Sequence, residues 1–165
     1  GGFTRHIPSG EVAPIFDIAG RYRNEGVDLI ILAGDDYGIG SSRDWAAKGT
    51  DLLGVRAVIA KSFESIHRAN LAKMGVLPLR FESGEGIIEL DLTGEEEFNI
   101  IGVDSKSIQT NRKITVHARR QDHSDKQFDV VLDLYGNIEF ACYEHGGMFP
   151  MVLDSLCKES KSGPR

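Results

Sequence analysis

Tyr37-Gly38-Ile39-Gly40-Ser41-Ser42-Arg43-Asp44-Trp45-Ala46-Ala47-Lys48-Gly49 follows the apolar run Leu29-Ile30-Ile31-Leu32-Ala33, and the join between the two decides the fold. The apolar run predicts a buried strand, and Asp44 to Leu53 predicts a helix. Gly38 and Gly40 permit the positive φ angles of a tight turn. A strand emptying through glycines into a helix start is an anion site, because first-turn N–H groups without intrahelical partners carry partial positive charge. Ser41 or Ser42 can cap the helix, and Ser41 with Asp44 three residues on fits a capping box. The guanidinium of Arg43 lies beside them. Spacing alone also fits an ordinary corner in which the serines only cap and Arg43 pairs with an acid. The third glycine and downstream acid of a dinucleotide fingerprint are missing, as is a Walker lysine pattern.

Outward from this corner, Gly54 predicts a stop, Val55 to Ala60 a second strand, and Ser62 the cap of a helix running to Met74 with Gly75 beyond it. Leu77 to Phe81 predicts a third strand. Helices of this length between strands favour parallel crossovers, which set the Gly38 to Arg43 turn at a strand's carboxyl end. Upstream, Pro14, the helically spaced Ile15, Ile18, Ala19 and Tyr22, and Gly26 predict a first helix. Downstream, Ile114, Val116 and Ala118, then Phe128, Val130, Leu132 and Leu134, alternate with polar residues around Gln121 to Lys126. That pattern predicts an antiparallel hairpin whose Lys113, His117, Arg119 and Asp129 form the solvated face.

The likeness of this corner extends through Leu52 to Phe81, LLGVRAVIAKSFESIHRANLAKMGVLPLRF, to the opening IPSGEVAPIFDIAGRY from Ile7 and the YEHGG run from Tyr143. Across nearly the whole chain the sequence resembles the aconitase superfamily, in particular the C-terminal swivel domain of its aconitase A and iron-regulatory protein branch. The small subunit of isopropylmalate isomerase shares the Gly-Ser-Ser-Arg core but continues with Glu-His-Ala, where this chain has Asp44-Trp45-Ala46. Asp35 replaces a usual lysine and Ser65 a usual arginine, and Met148-Phe149-Pro150 departs in the last helix. None of these touches the core, but they leave the member of the branch open, and Asp35 alters the charge near the substrate entrance.

The resemblance implies a swivelling β/β/α domain over residues 1–165, with parallel strands, crossover helices and the hairpin. It also implies reversible dehydration of a hydroxy tricarboxylate, citrate to isocitrate through cis-aconitate, with methylcitrate and homocitrate as related substrates. Ser41 then matches the serine base, while Gly40, Ser42 and Arg43 complete a site that binds substrate carboxylate. A 4Fe–4S cluster is implied too, with its ligands on other domains or a large subunit. Cys142 and Cys157 are too few to ligate it, so they read as packing and surface residues. The branch also implies RNA as an alternative partner, yet a net charge of −6 and a pI near 5.4 oppose autonomous RNA binding unless Arg21, Arg23, Arg43, Arg68 and Arg119 cluster.

At 165 residues and 41% hydrophobic content the chain can bury a core without metal or disulfide support. It has no apolar run near the roughly 20 residues that span a bilayer, so no membrane partner is expected. Its two cysteines and missing signal segment predict a reducing compartment, the cytoplasm first and the mitochondrion as alternative. Lys158 to Arg165 reads as a tail, Glu95-Glu96-Glu97 as a solvated loop, and Trp45 as a core anchor. His67, Arg68 and Asn70 read as a polar group facing a partner or solvent. His145, before Gly146-Gly147, reads as a cap, and His6, His117 and His123 carry no signal.

Overall fold

The computed structural model describes residues 2–104 and 112–161. Three parallel strands, β3 (Leu29–Ala33), β4 (Val55–Ala60) and β5 (Leu77–Phe81), alternate with helices α2 (Arg43–Leu52) and α3 (Ser65–Lys73). β4 is buried on both faces apart from Arg56, which is why it reads as an unbroken apolar run. Gly54 and Gly75 take φ of +83° and +82°, so each helix ends where glycine reverses the chain.

The antiparallel half exceeds the expected hairpin. β7 (Lys113–Arg119) and β8 (Asp125–Leu132) pair as predicted, with their apolar residues on one buried face. A further strand, β6 (Glu97–Ile101), pairs with β7, and β8 pairs antiparallel with β5. One mixed sheet results, in the order β3-β4-β5-β8-β7-β6. Ile30 and Leu32 from one edge strand and Phe98 and Ile100 from the other pack against the same core cluster, so the sheet curls around it. The opposite face of the parallel strands is covered by α2 and α3 through Ala47 and Leu71, with Phe63 of the turn before α3 packed beside them.

A second small sheet was not anticipated: β1 (Phe3–Arg5) pairs with β2 (Val12–Pro14) ahead of α1 (Ile15–Asn24). Pro14 precedes the helix rather than opening it. His6, which carried no signal, is buried between Ser9 at 2.9 Å and Glu25 at 3.0 Å and holds this turn together. The chain ends in α4 (Gly136–Glu144) and α5 (Met148–Lys161). α5 takes in the first half of the expected tail, with Lys158 paired to Asp154 one turn back, and residues 162–165 fall outside the described ones.

Candidate active site

The turn from Gly34 to Ser42 leaves the carboxyl end of β3 and is laced to the turn that leaves β4. Lys61 N–H donates to the Gly34 carbonyl (3.0 Å), Tyr37 N–H to the Ser62 carbonyl (3.0 Å), and Glu64 N–H to the Tyr37 carbonyl (3.0 Å). Ser62 does not cap α3. Its hydroxyl instead accepts from Asp36 N–H at 2.7 Å, and the cap role passes to Glu64, whose Oε2 accepts from His67 N–H at 2.8 Å. Asp36 and Gly38 sit at φ of +53° and +94°, and this double left-handed bend turns the chain toward α2. Gly38 is required twice over, since a Cβ there would collide with the His67 ring as well as strain the backbone. Gly40 shows neither constraint, so only one of the two glycines is needed for geometry.

α2 begins at Arg43, with Ser42 in the N-cap position. Ser42 makes no side-chain cap bond, and the expected Ser41–Asp44 capping box is not formed. The box fails because the helix starts one residue later than it requires: with Ser42 rather than Ser41 at the N-cap, the third helical position falls on Trp45, which cannot reciprocate. Among the described residues both serine hydroxyls are exposed and without a hydrogen-bond partner, and the first-turn N–H groups are not capped by them. These are the groups an anion at this helix start would meet.

Arg43 is half-buried and folded back over the turn. Its Nε–H donates to the Gly40 carbonyl at 2.8 Å and its Nη1–H to Glu64 Oε1 at 2.6 Å, while Nη2 takes no part in either bond. Burial pushes the Glu64 carboxyl up, but the N–H groups of His67 and Ile66 and the Arg43 guanidinium outweigh it and hold the carboxyl below its usual range. His67 is buried. It donates from Nδ1 to the Arg43 carbonyl at 3.2 Å and stands edge-on to Tyr37, with ring centroids 5.4 Å apart. Burial raises the Tyr37 phenol, outweighing the opposing influence of the neighbouring Thr50 hydroxyl.

Several expected surface features prove internal. Arg68 is buried and forms a two-pronged pair with Glu139 (2.7 and 2.9 Å), donates to the Asp133 carbonyl at 2.8 Å, and lies over the Tyr135 ring at 4.4 Å. His67 and Arg68 therefore serve the interior, correcting their assignment to a partner-facing group. Glu96 is also buried, accepting from Thr93 N–H and hydroxyl and from Gly94 N–H at 2.8 to 2.9 Å, so it is the tie of its loop. Trp45 departs in the other direction, being 77% exposed, because α2 packs through Ala47 and Thr50. A residue two positions from Ala47 points away from that face. His145 does cap α4, donating from Nδ1 to the Ala141 carbonyl at 2.8 Å.

The arginines that would have to cluster for RNA are engaged separately. Arg21 pairs with Glu11 and Glu25, Arg23 bonds the Leu52 carbonyl, Arg119 pairs with Asp125, and Arg68 is buried. Cys142 is buried in α4 and Cys157 is exposed on α5, a donor set that does not fit a 4Fe–4S cluster. Among the described residues no group of three or more His, Cys, Asp or Glu could hold a metal ion, and no helix is long and apolar enough to cross a membrane.

The sequence reading includes Tyr37 in the corner but not Glu64. The signal for Glu64 was its place just before a helix whose third residue needs an acceptor.

The chain is 50% identical over 153 residues to aconitate hydratase A of Staphylococcus aureus, covering 93% of this chain and 17% of that protein. It is 48% identical over 161 residues to aconitate hydratase A of Bacillus subtilis (97% of this chain, 17% of that protein), and 45% identical over 162 residues to that of Thermus thermophilus (98% and 18%). It therefore spans less than a fifth of the length of these relatives. The fold is shared with 3-isopropylmalate dehydratase of Methanocaldococcus jannaschii, at a TM-score of 0.52 and 20% identity over 92% of this chain and 84% of that one. Residues 1–84 match the aconitase C-terminal domain, and the chain belongs to that family.

Proposed function

We propose that residues 1–165 form the swivelling C-terminal domain, or a separate small subunit, of an aconitate hydratase, and that Ser41, Ser42, Arg43 and Gly40 are its contribution to the active site. The observation that carries this reading is the open start of α2. Two exposed hydroxyls, uncapped first-turn N–H groups and an unsaturated guanidinium converge at the carboxyl end of a parallel strand, where ligands of such sheets bind.

The reaction is reversible loss of water from a hydroxy tricarboxylate, citrate or isocitrate, through cis-aconitate. The part served by this chain is the proton. Ser41 Oγ, as an alkoxide, takes it from the carbon next to a carboxylate and returns it in the reverse direction. A serine hydroxyl is a weak base, so its anion must be met by donors already aimed at it. Ser42, the N–H groups at the start of α2 and Arg43 supply them without reorganisation. Arg43 also binds a substrate carboxylate, and the Gly40 carbonyl keeps its Nε–H turned inward.

The relatives imply an iron–sulfur cluster in the complete enzyme, and its ligands would lie in the remaining domains or a large subunit, the partner on which this domain closes. The same chemistry would suit methylcitrate or homocitrate, and the exposed Asp35 is one residue near the corner whose charge would bear on that choice. RNA binding draws no support from the separately paired arginines. Two free cysteines fit a reducing compartment, the cytoplasm first.

The test is Ser41→Ala in the intact enzyme. Turnover is expected to fall about 100- to 10,000-fold with little change in substrate affinity, because a base acts in the transition state. Exchange of the substrate carbon hydrogen with solvent should disappear with it. If that exchange persists, Ser41 is not the base.

A further inference from the structure

We infer that Glu64 is a positioning residue for Arg43, acting on the substrate only through the guanidinium that it holds; the inference rests on the reading of Arg43 given above. Arg43 has five N–H donors. One, on Nε, is committed to the Gly40 carbonyl at 2.8 Å, and one, on Nη1, to Glu64 Oε1 at 2.6 Å. With the Nε side closed, the guanidinium presents a carboxylate only with its end-on edge, the second Nη1–H and both N–H groups of Nη2. Two anchors on different elements fix the plane of a side chain that otherwise swings freely.

Glu64 is itself held from three directions. Oε2 accepts from His67 N–H at 2.8 Å, Oε1 accepts from the Ser65 hydroxyl at 3.4 Å, and the backbone N–H donates to the Tyr37 carbonyl at 3.0 Å. Its carboxylate occupies the positive end of α3 and leaves the positive end of α2, beside Ser41 and Ser42, open. The identity of the residue argues the same way. Capping α3 requires one oxygen and is best done by Asp, Asn, Ser or Thr; glutamate is not a favoured N-cap. Its additional methylene is what carries Oε1 across to Arg43 while Oε2 keeps the cap. A carboxylate beside an anion-binding arginine opposes the ligand's charge, so it is useful there only if fixing the fork gains more than that repulsion loses. Displacements of about 1 Å at such sites are worth on the order of 100-fold in rate.

The experiment uses the intact enzyme and compares Glu64→Asp, Glu64→Gln, Arg43→Lys and the double variant Arg43→Lys/Glu64→Asp. Each is measured for calorimetric affinity toward tricarballylate, a tricarboxylate without the reacting hydroxyl, for kcat and KM, and for thermal midpoint. Glu64→Asp preserves a good cap but cannot reach Arg43, and Glu64→Gln offers one accepting oxygen where two are needed. Both should keep the wild-type midpoint and lose about 10- to 100-fold in kcat/KM, expressed more in KM and in tricarballylate affinity than in kcat. In the Arg43→Lys background Glu64→Asp should add less than about 2-fold, since the group it positions is gone. Wild-type affinity and kinetics in both Glu64 variants, alongside a defective Arg43→Lys, would make Glu64 a cap alone and overturn the inference while leaving Arg43 in the site. Tighter tricarballylate binding in Glu64→Asp would overturn it as well, marking Glu64 as a competitor for the fork. A normal Arg43→Lys enzyme would remove both this inference and the reading on which it rests.

Discussion

Two arginine–glutamate pairs flank the first turn of α3, with the same chemistry in opposite surroundings, one enclosed and one open to solvent. Arg68 and Glu139 meet through two parallel hydrogen bonds, a further bond goes to the Asp133 carbonyl, and Tyr135 covers the guanidinium. Arg43 and Glu64 share a single bond at a half-exposed corner where Nη2 is uncommitted and two serine hydroxyls stand open. A buried guanidinium, doubly paired and covered by a ring, ties elements together, here α3 to α4. A partly exposed one, held in place from behind, has donors left that a ligand can reach. Pairing with an acid therefore does not by itself separate a structural arginine from a functional one.

The largest expected effect follows from that contrast. Arg68→Ala leaves the half-buried Glu139 without its partner and empties a buried site, and losing one member of a buried pair costs up to about 3 to 5 kcal/mol, so this variant should unfold at markedly lower denaturant. Arg43→Lys should barely change stability, by roughly 0 to 1 kcal/mol, yet lower turnover of the intact enzyme about 100- to 1,000-fold because the planar fork is lost. Urea melts and steady-state kinetics on both variants check this double dissociation. A catalytic loss in a stable, folded Arg68 variant would erase the distinction.

Acid sharpens the same comparison. Burial alone would raise the Glu139 carboxyl, but the Arg68 guanidinium and the Tyr135 N–H outweigh it and hold it below its usual range. Folded Glu139 therefore binds its proton less readily than unfolded Glu139. Its stabilisation is fully present above the unfolded value, about 4.3, and is lost as pH falls through the lower folded value. Stability measured from about pH 5 downward should fall less steeply in Glu139→Gln than in the wild type, with a lower plateau at neutral pH.

The parallel half of the molecule was legible because its signals are local: unbroken apolar runs at Leu29, Val55 and Leu77, closed by Gly54 and Gly75. β6 was not: its alternation is only five residues long and opens inside the acidic run Glu95-Glu96-Glu97, and it is pairing with β7 that defines the strand. β1 and β2 are three residues each and largely exposed, so no periodicity announces them. The burial of Arg68 depends on a partner 71 residues away, which no window of sequence contains. The candidate site divides in the same manner. Ser41, Ser42 and Arg43 stand out in the chain, whereas Glu64 and the His67 ring under Gly38 come from the next turn and become neighbours only when β3 and β4 align.

Gly38→Ala breaks the corner from its backbone side and ranks next in size. At φ of +94° an alanine is strained, by about 1 to 3 kcal/mol, and its methyl must displace the buried His67 ring. Gly40→Ala lacks both penalties and should fall within about 0.5 kcal/mol of wild type. Chemical denaturation of the pair measures the difference. Equal losses would mean that the turn tolerates a different path and that Gly38 is not what fixes the approach to Arg43.

The smallest effect is expected at Trp45, although tryptophan truncation in a core usually costs about 3 to 5 kcal/mol. Trp45 belongs to the same first turn as Arg43, but α2 buries Ala47 and Thr50 and turns the indole outward, leaving it 77% exposed. Trp45→Ala in a polypeptide of this sequence should therefore change stability by no more than about 0.5 kcal/mol. As the only tryptophan of the chain, Trp45 also reports its own surroundings. Its fluorescence should be that of a hydrated indole and be quenched readily by iodide. A blue-shifted, protected emission with a stability loss of several kcal/mol would return Trp45 to the core. It would also rotate α2 about its axis, and that rotation would carry Arg43 away from both Gly40 and Glu64. The indole thus tests, at the far side of one helix, the orientation on which the comparison of the two arginines depends.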